Sequence, residues 1–221
     1  MLFLLSLFCA YWFKSELHHF PIRLNTQIYD DYRQVYSTDI PLNDFIHSSK
    51  LQPKPNQSAY CFFILFPSVV FYFDNSSPTL IFIGILLIYL SMLDYFYYLT
   101  DVRYLGMLFI SAIAQLLFYE PWLLSVHLLS LFLTSLFFIL LTVLMKYWLT
   151  TEMLGTGDML LFIALSPLFA PEQMILLLLY ANLAGLAFAC GYFCLKRRRI
   201  EKLPFIPFIT FSTFMLFIDR I

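Results

Sequence analysis

Three aspartates lie in or beside apolar stretches of this chain, and they carry most of its chemical potential. Asp158 closes Gly155-Thr156-Gly157-Asp158 at the head of a long apolar run, Asp94 lies near the end of another, and Asp101 follows Asp94 at the next turn. A carboxylate at hydrocarbon depth costs several kcal/mol (about 3 on insertion scales), so an ionisable residue there calls for a function. Two close carboxylates cannot both ionise cheaply. One keeps its proton, and the pair can serve as general base and general acid on a water attacking a peptide carbonyl. That is aspartic-protease chemistry, which needs neither a metal nor a covalent intermediate. Gly155 and Gly157 contribute differently, because a backbone without side chains can take dihedrals closed to other residues and let a substrate strand lie against it. The plainer alternative is that Gly-Thr-Gly separates two helices, Asp158 caps the second, and Asp94 pairs with Arg103.

The elements that must position these residues follow from composition. Of 221 residues 61% are hydrophobic, 20% aromatic and only 12% charged, against about a quarter charged in soluble proteins. The chain is expected to be an all-α polytopic membrane bundle, since a lipid-exposed backbone must satisfy its own hydrogen bonds and no run alternates like a barrel strand. Apolar runs at Leu2 to Phe13, Ala59 to Phe73, Thr79 to Leu99, Val102 to Tyr119, Leu123 to Tyr147, Asp158 to Ala170, Met174 to Leu195 and Pro204 to Ile218 give about eight candidate transmembrane helices. The first is shorter than the ~20 residues that span a bilayer comfortably. Residues 14–58 are polar and proline-bearing and are expected to form a water-exposed loop without regular structure. The organisation is therefore a short first span (1–13), a polar loop (14–58) and a transmembrane domain (59–221).

Orientation follows from the positive-inside rule. With eight crossings, twelve of the thirteen lysines and arginines fall on one side and only Arg220 on the other. That places the N-terminus outside, the 14–58 loop inside, and Asp94, Asp101 and Asp158 all at the cytoplasmic face.

The remaining polar groups offer less. A net charge of −1 argues against a nucleic-acid partner. Cys9, Cys61, Cys190 and Cys194 lack zinc-site spacing and are expected to be small buried residues. His18, His19 and His47 fall in the polar loop, and His127 has no evident acidic partner. Tyr95, Tyr97 and Tyr98 fit an interfacial aromatic belt and could wall a pocket around Asp94.

The G-x-G-D sequence at Gly155 to Asp158, an earlier aspartate at a cytoplasmic helix end, and a helical chain of this size resemble the type IV prepilin peptidase family of membrane aspartic proteases. The resemblance covers roughly residues 80–215. It implies that Asp94 and Asp158 are the catalytic pair, with Asp101 a rival to Asp94, because Leu99-Thr100-Asp101 matches the turn after the first catalytic position imperfectly. Leu203-Pro204-Phe205-Ile206-Pro207-Phe208 is similar to the Pro-Phe-x-Pro-Phe stretch that opens the family's last helix. Two departures stand out: Leu160 occupies the place of a usual lysine, and residues 14–58 lack the paired cysteines of many members. The implied activity is removal of short basic leaders from prepilin or pseudopilin substrates at the bacterial inner membrane. The peptidase step implies no cofactor; S-adenosylmethionine would be needed only for a following N-methylation. Two alternatives are a presenilin or signal-peptide-peptidase-like protease, which shares G-x-G-D but has Tyr before its first aspartate where this chain has Leu93, and a non-catalytic transport or assembly component whose aspartates pair with helix-end cations.

Overall fold

The computed structural model describes residues 2–35, 41–54, 58–73, 76–148, 155–197 and 202–218. Leu154, Asp39, Asp74, Arg198, Arg199 and Arg220 lie outside them. Every regular element among the described residues is helical, and the chain divides into two compact units, Met1–Asp74 and Asn75–Ile221.

The first unit differs from expectation. Helix α1 runs unbroken over Leu2–Val35, through the boundary expected at Lys14, and a short α2 follows at Leu42–Ser48. The reason lies in periodicity rather than composition. Ser6, Ala10, Phe13, Leu17, Phe20, Asn25 and Tyr29 are buried, so a stripe with near-helical spacing continues across the point where charge appears. The charged residues occupy the other face, with Arg23 paired to Glu16. Helix α3, Phe62–Tyr72, packs along α1, where Phe66 meets Phe13 edge-to-face at 5.7 Å between ring centroids. It therefore belongs with α1 rather than with the helices after residue 75.

Buried Asn25 ties the polar segment to α1. Its amide nitrogen donates to the Leu51 carbonyl (2.8 Å), and its oxygen accepts from the Ser49 hydroxyl (2.8 Å). Asn25→Ala is expected to lose about 1–2 kcal/mol from these two bonds. Tryptic cleavage after Lys50 should accelerate in that variant while the rest of the digest pattern is unchanged.

The second unit holds α4 (Pro78–Tyr97), α5 (Val102–Tyr119), α6 (Leu124–Trp148), α7 (Thr156–Leu165), α8 (Pro171–Lys196) and α9 (Ile206–Ile218). Their starts follow the sequence chemistry. Proline stands at the first helical position of α4 and α8, where a missing N–H costs nothing, and Asp101 is the N-cap of α5. Four of the segments are long and apolar enough to cross a membrane: Pro78–Tyr97, Val102–Tyr119, Pro121–Trp148 and Pro171–Lys196. Phe62–Tyr72, Thr156–Leu168 and Ile206–Ile218 are apolar but shorter, so among the described residues four helices, against about eight expected, have both the length and the apolar character to cross.

Helix α4 is the centre of this unit. In its most apolar stretch 61% of residues are buried, against 11% for the Pro121–Trp148 segment. It packs on α5 and α9; α5 also packs on α7, and α8 on both α6 and α9. Polar side chains tie these contacts. Gln115 of α5 accepts from Ser77 and Thr79 at the start of α4, and Ser91 of α4 meets Thr210 of α9 at 2.6 Å. His127 of α6, also buried, bonds through Nδ1 to the Pro167 carbonyl at 2.8 Å. The cysteines depart from expectation: Cys61, Cys190 and Cys194 are exposed. A helix surface compatible with lipid is apolar outside as well as inside, so apolar character there does not report burial.

Candidate functional site

The C-terminal end of α4, the start of α5 and the start of α7 enclose a pocket of about 240 Å³ lined by Asp94, Tyr98, Leu99, Thr100, Val102, Leu105, Gly155, Thr156, Gly157, Asp158 and Leu160. Both expected catalytic aspartates and both glycines face one cavity. The carboxyl groups are close enough for the charge of one to act on the other.

Asp94 sits in the last turn of α4 with 7% of its surface exposed. Its Oδ2 accepts from the backbone N–H of Ile206 at 3.0 Å, a bond spanning 112 residues of sequence. It does not pair with Arg103. The helix ends by a reversal at Tyr98, whose N–H donates to the Asp94 carbonyl (2.8 Å) and whose φ of 54° is left-handed. That conformation costs a non-glycine residue about 1–2 kcal/mol. It turns the chain so that Leu99 and Thr100 line the pocket beside Asp94.

Asp158 is not the N-cap of α7; Gly155 is, with extended dihedrals (φ −64°, ψ 135°), and Asp158 stands three residues on, in the first turn. There a carboxylate complements the positive end of the helix dipole. Its carboxyl group lies against Gly155. A Cβ at Gly155 would lie 3.1 Å from Asp158 Oδ2, so the missing side chain leaves that room. At Gly157 a Cβ would come within 2.3 Å of Thr100 Oγ1 and 2.8 Å of Thr100 Cβ. The glycine thus lets α7 approach the α4–α5 turn closely enough to bring Asp158 to Asp94. Leu160, in the place of the family's lysine, lines the pocket and is 43% exposed.

Asp101 is buried (5% exposed) but does not line this pocket. Its Oδ1 accepts from the Arg103 backbone N–H (3.1 Å) and from Arg103 Nε (3.3 Å), and Oδ2 from the guanidinium at 3.4 Å. Its carboxylate caps α5 and holds Arg103. Asp101→Asn, which keeps a good capping residue, should leave stability nearly unchanged, and Asp101→Ala should lose about 1–2 kcal/mol. Thermal unfolding of the purified protein reads the difference.

Of the three tyrosines, Tyr98 lines the pocket; Tyr95 and Tyr97 do not. Nothing in the residue types marks Ile206 as a contact of Asp94, since a backbone donor carries no residue signature. The nearest signal was Pro204-Phe205-Ile206-Pro207, which marks where a helix begins. Among the described residues no cluster of His, Cys, Asp and Glu could hold a metal ion.

Fold and site together define an all-helical protein with membrane-compatible helices and a two-carboxyl pocket at one end of its second unit. Comparison with protein-family models, curated proteins and solved structures returns no match.

Proposed function

We propose that this chain is a membrane aspartic endopeptidase that removes the leader from prepilin-like substrates, as its resemblance to the type IV prepilin peptidases implies. The observation that carries this reading is the convergence of Asp94 and Asp158 on one pocket beside two glycines. The Asp94/Asp158 pair shares one proton. One carboxylate takes a proton from water as it attacks the scissile carbonyl, and the other gives its proton to the carbonyl oxygen or the departing amine. The dyad acts as a unit, so neither role belongs to a fixed residue. The Gly155–Gly157 backbone aligns the extended scissile segment, and the substrate's apolar helix lies among the helices of the second unit.

In this proposal the chain lies in the bacterial inner membrane, and the shorter apolar helices and the first part of α1 complete about eight crossings. Arg103, Lys146 and Lys196 stand at the helix ends that share the pocket's side, which supports a cytoplasmic site. Substrates are prepilins or pseudopilins of a pilus or secretion system. S-adenosylmethionine enters only if the new N-terminus is also methylated.

The test is reconstitution of the full chain in proteoliposomes with a peptide that joins a short basic leader to an apolar helix. Mass spectrometry should find the leader released by hydrolysis of one bond. An intact peptide after prolonged incubation with folded protein would overturn the proposal.

A further inference from the structure

Asp94 owes its orientation to a segment far away in sequence. Its Oδ2 is held by the N–H of Ile206, the first residue of α9, and the Phe205 amide lies beside it. One turn deeper the same two helices are tied again by Ser91 and Thr210. The turn is seated on its other sides too: a Cβ at Gly185 of α8 would lie 3.5–3.7 Å from Leu203, Phe205 and Phe208, and the Phe205 ring lies 6.5 Å from that of Phe162. Phe162 is one helical turn beyond Asp158 on α7. The Leu203–Phe208 turn therefore contacts the helices of both aspartates at once.

We infer that the N-terminal turn of α9 is the positioning element of the dyad, with the Ile206 backbone N–H holding Asp94 so that its other oxygen faces the pocket and Asp158. The inference rests on the peptidase proposal. A carboxyl group with one oxygen anchored loses its side-chain rotation before substrate arrives, and misplacement of a reacting group by about 1 Å can cost 10²-fold in rate. Because the donor is a main-chain group, no side-chain exchange at Ile206 except proline removes it. Position 206 is also where proline is best tolerated in a helix.

The experiment compares Ile206→Pro, which deletes the N–H, with Ile206→Ala, which trims the side chain and keeps it. Leader cleavage is measured on purified full-length protein. Ile206→Pro should lower kcat about 10- to 100-fold with KM within twofold of the parent, and Ile206→Ala should keep kcat within about threefold. A role in packing alone would make Ile206→Ala the worse variant. Should Ile206→Pro fail to assemble, the α-hydroxy analogue of isoleucine at this position replaces the N–H by an ester oxygen with the side chain intact, and the same fall in kcat is expected. Parental kcat in either N–H-deleted protein overturns the inference and leaves the peptidase proposal standing. Absence of cleavage by the unmodified chain overturns both.

Discussion

Asp94→Asn and Asp158→Asn, made singly, are each expected to lower the proposed leader cleavage by about 10²–10⁴-fold, the range associated with a positioned general acid or base. The exchange is nearly isosteric, and at position 94 the amide oxygen can accept the hydrogen bond now made from the Ile206 N–H. Fold and protein level are therefore expected to persist while the proton relay is lost. Cleavage in membranes normalised to protein amount, with thermal unfolding alongside, separates the two effects. Non-additivity provides a second criterion: residues acting as one unit lose nearly everything at the first substitution, so the double variant should be little worse than either single one. Processing by Asp158→Asn would end the peptidase proposal. Processing by Asp94→Asn but not Asp101→Asn would move the first catalytic role to Asp101, against the present geometry.

Gly157→Ala is expected to be strongly damaging. The added carbon would lie 2.3 Å from Thr100 Oγ1 and 2.8 Å from its Cβ, and a threonine Cβ cannot swing aside as the tip of a long side chain can. The start of α7 and the α4–α5 turn must separate, at about 1–3 kcal/mol for overpacking, and Asp158 moves away from Asp94. Cleavage should fall by about 10²-fold. Thr100→Gly in the same chain removes both crowding atoms and should restore most of the loss; Thr100→Ser leaves both atoms and should not. The cycle of single and double variants measures this coupling directly. An unimpaired Gly157→Ala would show that the close approach does not serve catalysis.

Much of the fold was legible because its helices are bounded by local chemistry. The run expected over Val102 to Tyr119 is observed with those ends, since Asp101 caps one side and Glu120-Pro121 interrupts the other. The expected Leu123 to Tyr147 run is displaced by a single residue at each end. Helix α1 continues past the boundary expected at Lys14 because composition changes there while the period of its buried residues does not. Asp94 and Asp158 could be selected from the cost of an apolar setting, but Asp101 shares that setting and is distinguished only by its partners. The Asp94 to Ile206 bond is a tertiary event between a side chain and a distant main-chain group, and nothing local in the chain encodes it.

The elements that carry the dyad's supports are short. Thr156–Leu168 and Ile206–Ile218 contain 13 residues each, about 20 Å of helix, against a hydrocarbon core of about 30 Å. Beside Val102–Tyr119 and Pro121–Trp148 they cannot reach both interfaces of an undeformed bilayer. Lipid next to them must thin, or water must enter above their ends, each at a fraction of a kcal/mol per Å of mismatch. Because the starts of α5 and α7 line one pocket, the shortfall of α7 falls at its far end, so in the proposed membrane setting bilayer thickness would act on the face opposite the carboxyls.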